Sequence, residues 1–148
     1  MTEPLAAGTN QAFAHTEITS GTRDDVWALW TDVPTWGQWD SGLKDAVLNT
    51  DFAPSATGTI VPNSGPKASF RIVEVDDGSS YTFVTSMPGA TLSVRRELLD
   101  AHATTFTHTV WFEGPLSWLW SRLVGRSFRK QLPPTMQRLA QLAAQRQR

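Results

Sequence analysis

Apolar residues recur with two different periods along this chain, and the changes between them predict its secondary structure. Apolar and polar positions alternate over residues 11–20, which predicts a strand. Helical spacing then begins at Thr22, a favourable N-cap, and stops at Pro34, because proline pushes the preceding residue out of the helical conformation. Thr35 is placed to cap a second short helix, which contains two tryptophans. The front of the chain therefore predicts one strand and two short helices.

The middle of the chain is divided by turn residues into six short segments. Each segment is rich in β-branched and aromatic residues, which favour strands. The segments span residues 44–52, 58–61, 68–75, 81–87, 91–99 and 104–112. Because short turns join consecutive segments, they predict an antiparallel meander.

The end of the chain, from residue 116 to about residue 144, has an apolar stripe at helical spacing. The stripe consists of Leu116, Leu119, Leu123, Leu132, Met136, Leu139 and Leu142. Pro133 and Pro134 interrupt it, so we expect a kink or a restart of the helix there. The predicted element order is strand, two short helices, six strands and a long helix.

Composition restricts the class of protein. A chain of 148 residues supports one core, so we expect a single domain over residues 11–146 after a loose terminus at residues 1–10. A formal charge of −1 gives no general attraction for nucleic acid, and no nucleic-acid partner is predicted. Without cysteine, and with three histidines in no recognisable ligand motif, neither a metal site nor a cofactor is predicted. No signal peptide or membrane-spanning run is visible, which predicts a cytoplasmic protein.

Four stretches of the sequence carry a resemblance to a known superfamily. They are VWALWTDV at residues 26–33 with the later Trp36 and Trp39, FRIVEV at 70–75, the strand segment that ends before Gly114, and FRKQLP at 128–133. Together with the element order, they resemble the polyketide cyclase/dehydrase-like branch of the START-related (SRPBCC) proteins. The resemblance covers nearly the whole chain. It implies an α+β helix-grip fold, in which a curved seven-stranded antiparallel sheet surrounds a long C-terminal helix and the short helices close one end.

The same resemblance implies a function, namely binding of a small hydrophobic ligand (lipid, polyketide or quinone-like) in a cavity between sheet and helix. A minority of such proteins catalyse cyclisation or dehydration, so enzymatic activity stays open and no catalytic residue is assigned. Neither the ligand nor the oligomeric state follows from the sequence. The predicted ligand-binding residues are Trp36, Trp39, Phe83, Val94, Arg96, His108, Val110, Phe112, Leu123 and Phe128.

Arg96 and His108 are the predicted polar anchors of that ligand. Each shares the apolar alternate positions of its strand, so each is expected to face the interior. An inward His108 can orient a ligand or act as an acid or base. An inward Arg96 needs a carboxylate partner or an anionic ligand group, because an unpaired buried charge is very costly; the alternative is that its head reaches the rim.

Other side chains near these anchors have two interpretations. Trp36 and Trp39 lie three residues apart, and they either line the ligand or pack in the core. Asp40 is a cap, a salt-bridge partner or a pocket acid. Tyr81 opens a strand beside a turn, which places it poorly for an interior acid.

Basic and aromatic residues are concentrated where the long helix begins: Trp118, Trp120, Arg122, Arg126, Arg129 and Lys130. This stretch either docks on an anionic membrane or an acidic partner, or only starts the helix with Leu119 and Leu123 inward. Trp118 and Trp120 cannot point the same way on a helix, which favours the second interpretation. Besides the ligand carrier, two functions thus remain, a cyclase or dehydratase using His108 as acid or base, and a peripheral membrane or protein-interaction module.

Overall fold

The described part of the protein consists of a seven-stranded sheet, two short helices and one long helix. A computed structural model describes residues 12–63 and 65–146, so the terminus expected at residues 1–10 lies outside the described residues. The strands are β1 (Ala12–Thr19), β2 (Leu43–Leu48), β3 (Thr57–Pro62), β4 (Ala68–Asp76), β5 (Ser80–Met87), β6 (Ala90–Leu98) and β7 (Thr104–Glu113). The helices are α1 (Arg23–Thr31), a 3₁₀ helix (Val33–Gln38) and α2 (Ser117–Gln145). The predicted order of elements is confirmed.

Strands β2 to β7 form an antiparallel meander, and β1 returns to pair with β7. The sheet curls around α2, which confirms the predicted α+β helix-grip fold. The long helix packs mainly against β1 and β7, at one side of the concave face. The 3₁₀ helix packs against β2 at the other side. The concave face is therefore covered by two different structures, a long helix and a short segment carrying tryptophans.

The two short helices differ in how they begin. Thr22 caps α1 as predicted: its hydroxyl accepts the Asp25 N–H, and the Asp25 carboxylate accepts the Thr22 N–H. The prediction that Thr35 caps the second helix was wrong, because this segment is a 3₁₀ helix that already starts at Val33. Pro34 lies in its first turn, where a missing N–H removes no hydrogen bond. Thr35 instead donates its hydroxyl to the Asp32 carbonyl at 2.7 Å.

Helix α2 is continuous through both of its prolines, so neither restarts it. Its first half buries small residues four apart, Ser117, Ser121 and Gly125, against the sheet. A Cβ atom on Gly125 would lie 2.5 Å from the Phe13 ring, which shows how closely helix and strand approach there. The prediction that Leu123 faces inward was therefore wrong: in this half of the helix the buried face is formed by small residues, and Leu123 is 63% exposed.

The structure also bears on membrane insertion. No helix within residues 12–63 and 65–146 is long and apolar enough to cross a bilayer.

Candidate functional site

Strand register brings the polar residues of the concave face into one row. Tyr81 on β5 pairs with Arg96 on β6, Arg96 pairs with His108 on β7, and His108 pairs with His15 on β1. Directly opposite residues of antiparallel strands share a face of the sheet, so all four side chains start from the concave side. The predicted inward direction of Arg96 and His108 is confirmed, since they are only 4% and 2% exposed.

The Arg96 guanidinium lies inside a cage of four aromatic rings. Its central carbon is 4.7 Å from the centre of Trp36, 4.8 Å from Trp39, 5.1 Å from Phe83 and 5.8 Å from Tyr81. Aromatic faces carry partial negative charge and attract cations, most strongly where water is excluded. The alternative in which Arg96 extends to the rim is thereby excluded. We call Trp36, Trp39, Tyr81 and Phe83 the aromatic cage.

Two hydrogen-bond donors at the aromatic cage, one on Arg96 and one on Trp39, have no acceptor among the described residues. Arg96 Nη1 donates to the Tyr81 hydroxyl at 2.6 Å, and that hydroxyl lies 3.5 Å from the Trp30 carbonyl. Arg96 Nε and Trp39 Nε1 are buried and have no hydrogen-bond partner among the described residues. A buried donor without an acceptor costs roughly 1–3 kcal/mol, so two of them, one in the guanidinium and one on a ring in contact with it, mark an unusual place in the core.

Asp40 is the acidic residue that balances part of the Arg96 charge. It is half-buried, and its Oδ1 accepts the Gly42 N–H at 2.9 Å. Burial raises the pKa of the Asp40 carboxyl, while the positive charge of Arg96 acts in the opposite direction. None of the ion pairs among the described residues joins Asp40 to Arg96, so the carboxylate acts on Arg96 only at longer range. Of the three roles considered for Asp40, the structure supports the local cap. Its carboxyl group also interacts with the charge of Arg96.

His108 is held neutral by its surroundings. The Trp30 indole N–H donates to His108 Nε2 at 3.1 Å, and because an indole nitrogen only donates, Nε2 must carry the lone pair. Burial lowers the pKa of His108 well below 6.5, and the Arg96 charge lowers it further. A neutral imidazole whose Nε2 is already engaged is a poor acid, although it is a well-fixed polar neighbour of Arg96.

Tyr81 was missed by the sequence argument, which placed it poorly for an interior role. In the structure it has no exposed surface, and burial raises the pKa of its hydroxyl despite the opposing effect of Arg96. The sequence did contain a signal for the position of Tyr81, namely the short turn between Met87 and Ala90, which closes a tight hairpin. Counting back from that turn along both strands places Tyr81 opposite Arg96.

The remaining predicted ligand-binding residues are distributed along the same interior. Val94, Val110 and Phe112 are buried on β6 and β7, as expected from their alternation. Phe128 on α2 is partly buried, and its ring centre lies 6.1 Å from that of Phe112. Leu123 is separate from this group.

Side chains fill the interior beside the cage. Trp30, Trp36, Phe106 and Phe112 have no accessible surface at all, and a side chain that borders even a water-sized void would show some. The expected cavity therefore does not reach these four side chains, while Arg96 and Phe83 keep 4% and 5% of their surface accessible. A cleft of about 320 Å³ does open between β1 and α2, lined by Ala12, Phe13, Ala14, His15, Arg129, Leu132 and Pro133.

A metal site is not formed by the part of the chain that the structure describes. It contains no group of three or more His, Cys, Asp or Glu residues that could hold a metal ion.

The fold places the protein in the class of helix-grip domains, and in this chain the fold encloses a charged group in an aromatic interior. The profile of the polyketide cyclase / dehydrase and lipid transport family matches residues 12–144, so this chain belongs to that family. The superfamily resemblance inferred from the sequence is thus confirmed. No curated protein sequence matches the chain.

Solved structures with the same fold include proteins of different kinds. The chain is similar to the di-domain ARO/CYC StfQ from the steffimycin biosynthetic pathway, with 9% identity and a TM-score of 0.73 over 91% of this chain, but it spans only 51% of that protein. It is also similar to norcoclaurine synthase from Thalictrum flavum, with 11% identity and a TM-score of 0.64 over 91% of this chain and 87% of that one. A protein from Nitrosomonas europaea shares 18% identity and a TM-score of 0.71, over 96% and 98% of the two chains. At these identities the likeness concerns the fold alone.

Proposed function

We propose that this protein binds a small hydrophobic ligand that carries an anionic or strongly polarised oxygen, and that Arg96 is the anchor. The observation that carries the proposal is the pair of buried donors, Arg96 Nε and Trp39 Nε1, which have no acceptor within the described residues. A carboxylate, phenolate or enolate oxygen is the acceptor that such donors favour, because charge-assisted hydrogen bonds are the strongest. Membership of a family described by polyketide cyclisation and lipid transport supports an apolar ligand body of lipid or polyketide type. A quinone-like body is the third ligand type that we propose.

The aromatic cage supports the same ligand class. Four rings around one cation offer flat apolar surface together with a positive centre. An apolar ligand with an acidic oxygen matches both features, since most small-molecule sites combine apolar walls with a few placed polar groups. His108 adds a neutral polar side chain directly beside Arg96.

Entry of a ligand into the cage requires movement, because Arg96 and Phe83 keep only 4% and 5% of their surface accessible. Two of its walls, Tyr81 and Phe83, belong to the sheet, whereas Trp36 and Trp39 belong to the 3₁₀ helix and its end. A short 3₁₀ helix has weaker hydrogen-bond geometry than an α-helix or a sheet. We infer that the 3₁₀ helix moves when a ligand enters. Ligand binding should therefore change amide hydrogen exchange in residues 33–42 more than in β5 and β6.

The proposal is tested with matched ligand pairs on the 148-residue chain, by isothermal titration calorimetry at neutral pH. Decanoate is compared with decanol, and a hydroxynaphthoquinone that is ionised at this pH with its parent naphthoquinone. Preference for the anionic member should be about tenfold or more, the worth of a hydrogen bond to a charged group. Arg96→Met should abolish the preference, whereas Arg95→Met, which changes the next residue on the opposite face of β6, should retain it.

Two results would overturn the anchor role of Arg96. One is wild-type binding that does not distinguish the members of either pair. The other is an Arg96→Met variant that stays folded by circular dichroism and keeps the preference. Trp39→Phe, which removes one unsatisfied donor and keeps a ring, should weaken binding of the anion by a smaller factor than Arg96→Met.

A cyclase or dehydratase using His108 is the second candidate, raised by the family description. The geometry favours it less, because His108 is neutral and its Nε2 accepts the Trp30 N–H. If turnover of a polyketide substrate is detected, His108→Ala should leave it largely intact. Loss of turnover in that variant, with ligand binding preserved, would instead support the enzymatic role.

A further inference from the structure

The charges of this protein are divided unevenly between α2 and the rest of the chain. Helix α2 contains five cationic residues and no acidic one in 29 residues. The whole chain has 13 Lys and Arg and 14 Asp and Glu. Outside α2, eight cations therefore face 14 acids, which leaves −6 there against +5 on the helix. The nearly neutral total conceals one strongly cationic element.

The solvent side of the first half of α2 joins these cations to exposed apolar side chains. Trp118, Arg122, Arg126 and Lys130 follow each other at intervals of four residues, so they form one ridge about 18 Å long at 1.5 Å per residue. We call these four residues the basic ridge. Trp118 is 53% exposed, and Leu123, beside the ridge, is 63% exposed. Leu116, just before the helix, is 37% exposed.

The two tryptophans at the helix start have different roles. The Trp120 indole N–H donates to the Pro88 carbonyl at 2.8 Å, which attaches the helix start to the β5–β6 turn. Trp118 points away from it into solvent. The two rings do point in different directions, as expected from their spacing, and only Trp118 belongs to the exposed face.

The ridge cations have no acidic partners in the described part of the chain. Arg122, Arg126 and Lys130 take part in none of its ion pairs. Like charges four residues apart on a helix repel each other and destabilise it slightly. Arg129 differs, since its guanidinium lies over the Phe13 ring at 5.2 Å. An arrangement that is unfavourable in the isolated protein becomes favourable against a negatively charged surface.

We propose that the basic ridge docks this protein on an anionic lipid surface, with Trp118 and Leu123 entering the headgroup layer. Trp118 and Leu123 lie about 140° apart around the helix, with the cations between them. This dispersed mixture suits a lipid interface, where indole and leucine side chains enter the boundary and arginine stems reach up to phosphates. A protein partner would instead favour apolar residues clustered at the centre of the contact.

The test is sedimentation of the 148-residue chain with vesicles of phosphatidylcholine alone or with phosphatidylglycerol added. Binding should require the anionic lipid and should fall as salt is added. Arg122→Glu with Arg126→Glu should reduce partition by about twentyfold or more, since each cation near such a surface contributes roughly fivefold. Trp118→Ser with Leu123→Ser should also reduce it, without changing net charge.

The control is Arg71→Glu with Arg138→Glu, which makes the same change in net charge at exposed positions outside the ridge. Equal loss of partition in the control and in the ridge variant would overturn the proposal, because binding would then follow net charge alone. Absence of binding to the anionic vesicles would also overturn it, as would tighter binding to an oligonucleotide at the same salt. Arg96→Met should retain vesicle binding, which separates this proposal from that of the ligand site.

Discussion

The aromatic cage and the basic ridge both hold arginines without an ion-pair partner among the described residues, yet they are built in opposite ways. Arg96 is 4% exposed and surrounded by aromatic rings and one hydroxyl. Arg122 and Arg126 are exposed on the solvent side of α2. A buried charge must be balanced by the protein or by a ligand, whereas water balances an exposed one. We therefore expect changes in the cage to affect stability and ligand binding together, and changes in the ridge to affect association far more than stability.

Trp36→Ala should give the largest effect on stability. Trp36 is fully buried and its ring centre lies 5.3 Å from Phe83 and 5.5 Å from Phe70, so truncation leaves a large cavity. We expect the free energy of unfolding to fall by about 3–5 kcal/mol. Urea denaturation followed by circular dichroism measures it. Trp118→Ala on the ridge is the matched control, with an expected loss below about 1 kcal/mol; equal losses would contradict the contrast.

Tyr81→Phe should give an intermediate effect, because it removes one oxygen from the cage and keeps the ring. Arg96 would then lose the single hydrogen-bond acceptor that it has among the described residues. The expected loss is about 1–3 kcal/mol in the same denaturation assay. Combining it with Arg96→Met forms a double-mutant cycle. If the two changes are additive, the hydroxyl does not act through Arg96 and the interpretation fails.

His108 should make stability depend on pH below neutrality. The pKa of His108 is lowered well below 6.5 in the folded protein, so as pH falls below about 6.5 the unfolded chain binds a proton that the folded protein does not. The contribution of His108 to the free energy of unfolding is fully present above about pH 6.5. It is lost as the pH falls further, by up to about 1.4 kcal/mol per pH unit. His108→Gln, whose longer side chain can offer Trp30 an oxygen in place of Nε2 and does not titrate, should remove this part of the dependence.

Denaturation series at pH 7, 6 and 5 for both proteins give the difference directly. Asp40 has the opposite sign, because its raised pKa means that the folded protein gains stability as the carboxyl protonates. That contribution is common to wild type and variant and cancels when they are subtracted. Parallel pH profiles would show that His108 is not held neutral.

Arg122→Glu with Arg126→Glu should give the smallest change in stability. Both side chains are exposed, so the free energy of unfolding should change by no more than about 0.5 kcal/mol per substitution. Thermal denaturation without vesicles measures it. A larger decrease in the free energy of unfolding would mean that the ridge contributes to folding, and would contradict the contrast with the cage.

Much of the site could be predicted from local patterns, and two errors show the limit. Alternation along β6 and β7 correctly placed Arg96 and His108 inside, because side chains of a strand point to opposite faces in turn. The leucine stripe failed for Leu123, since the closest contact with the sheet selects small residues such as Gly125. Tyr81 was missed because its position near a turn suggested exposure, and only the hairpin register relates it to Arg96.

The sequence by itself determined the type and order of the elements, since periodicity, proline positions and turn residues act over a few neighbouring residues. It also determined the family, since the family profile matches the sequence over residues 12–144. Only the tertiary structure decided what surrounds each charge. Trp36 and Trp39 meet Arg96 from more than fifty positions away in the chain, because the sheet curls and the 3₁₀ helix crosses its concave face. The cage therefore depends on curvature and packing between distant segments, which a local pattern does not specify.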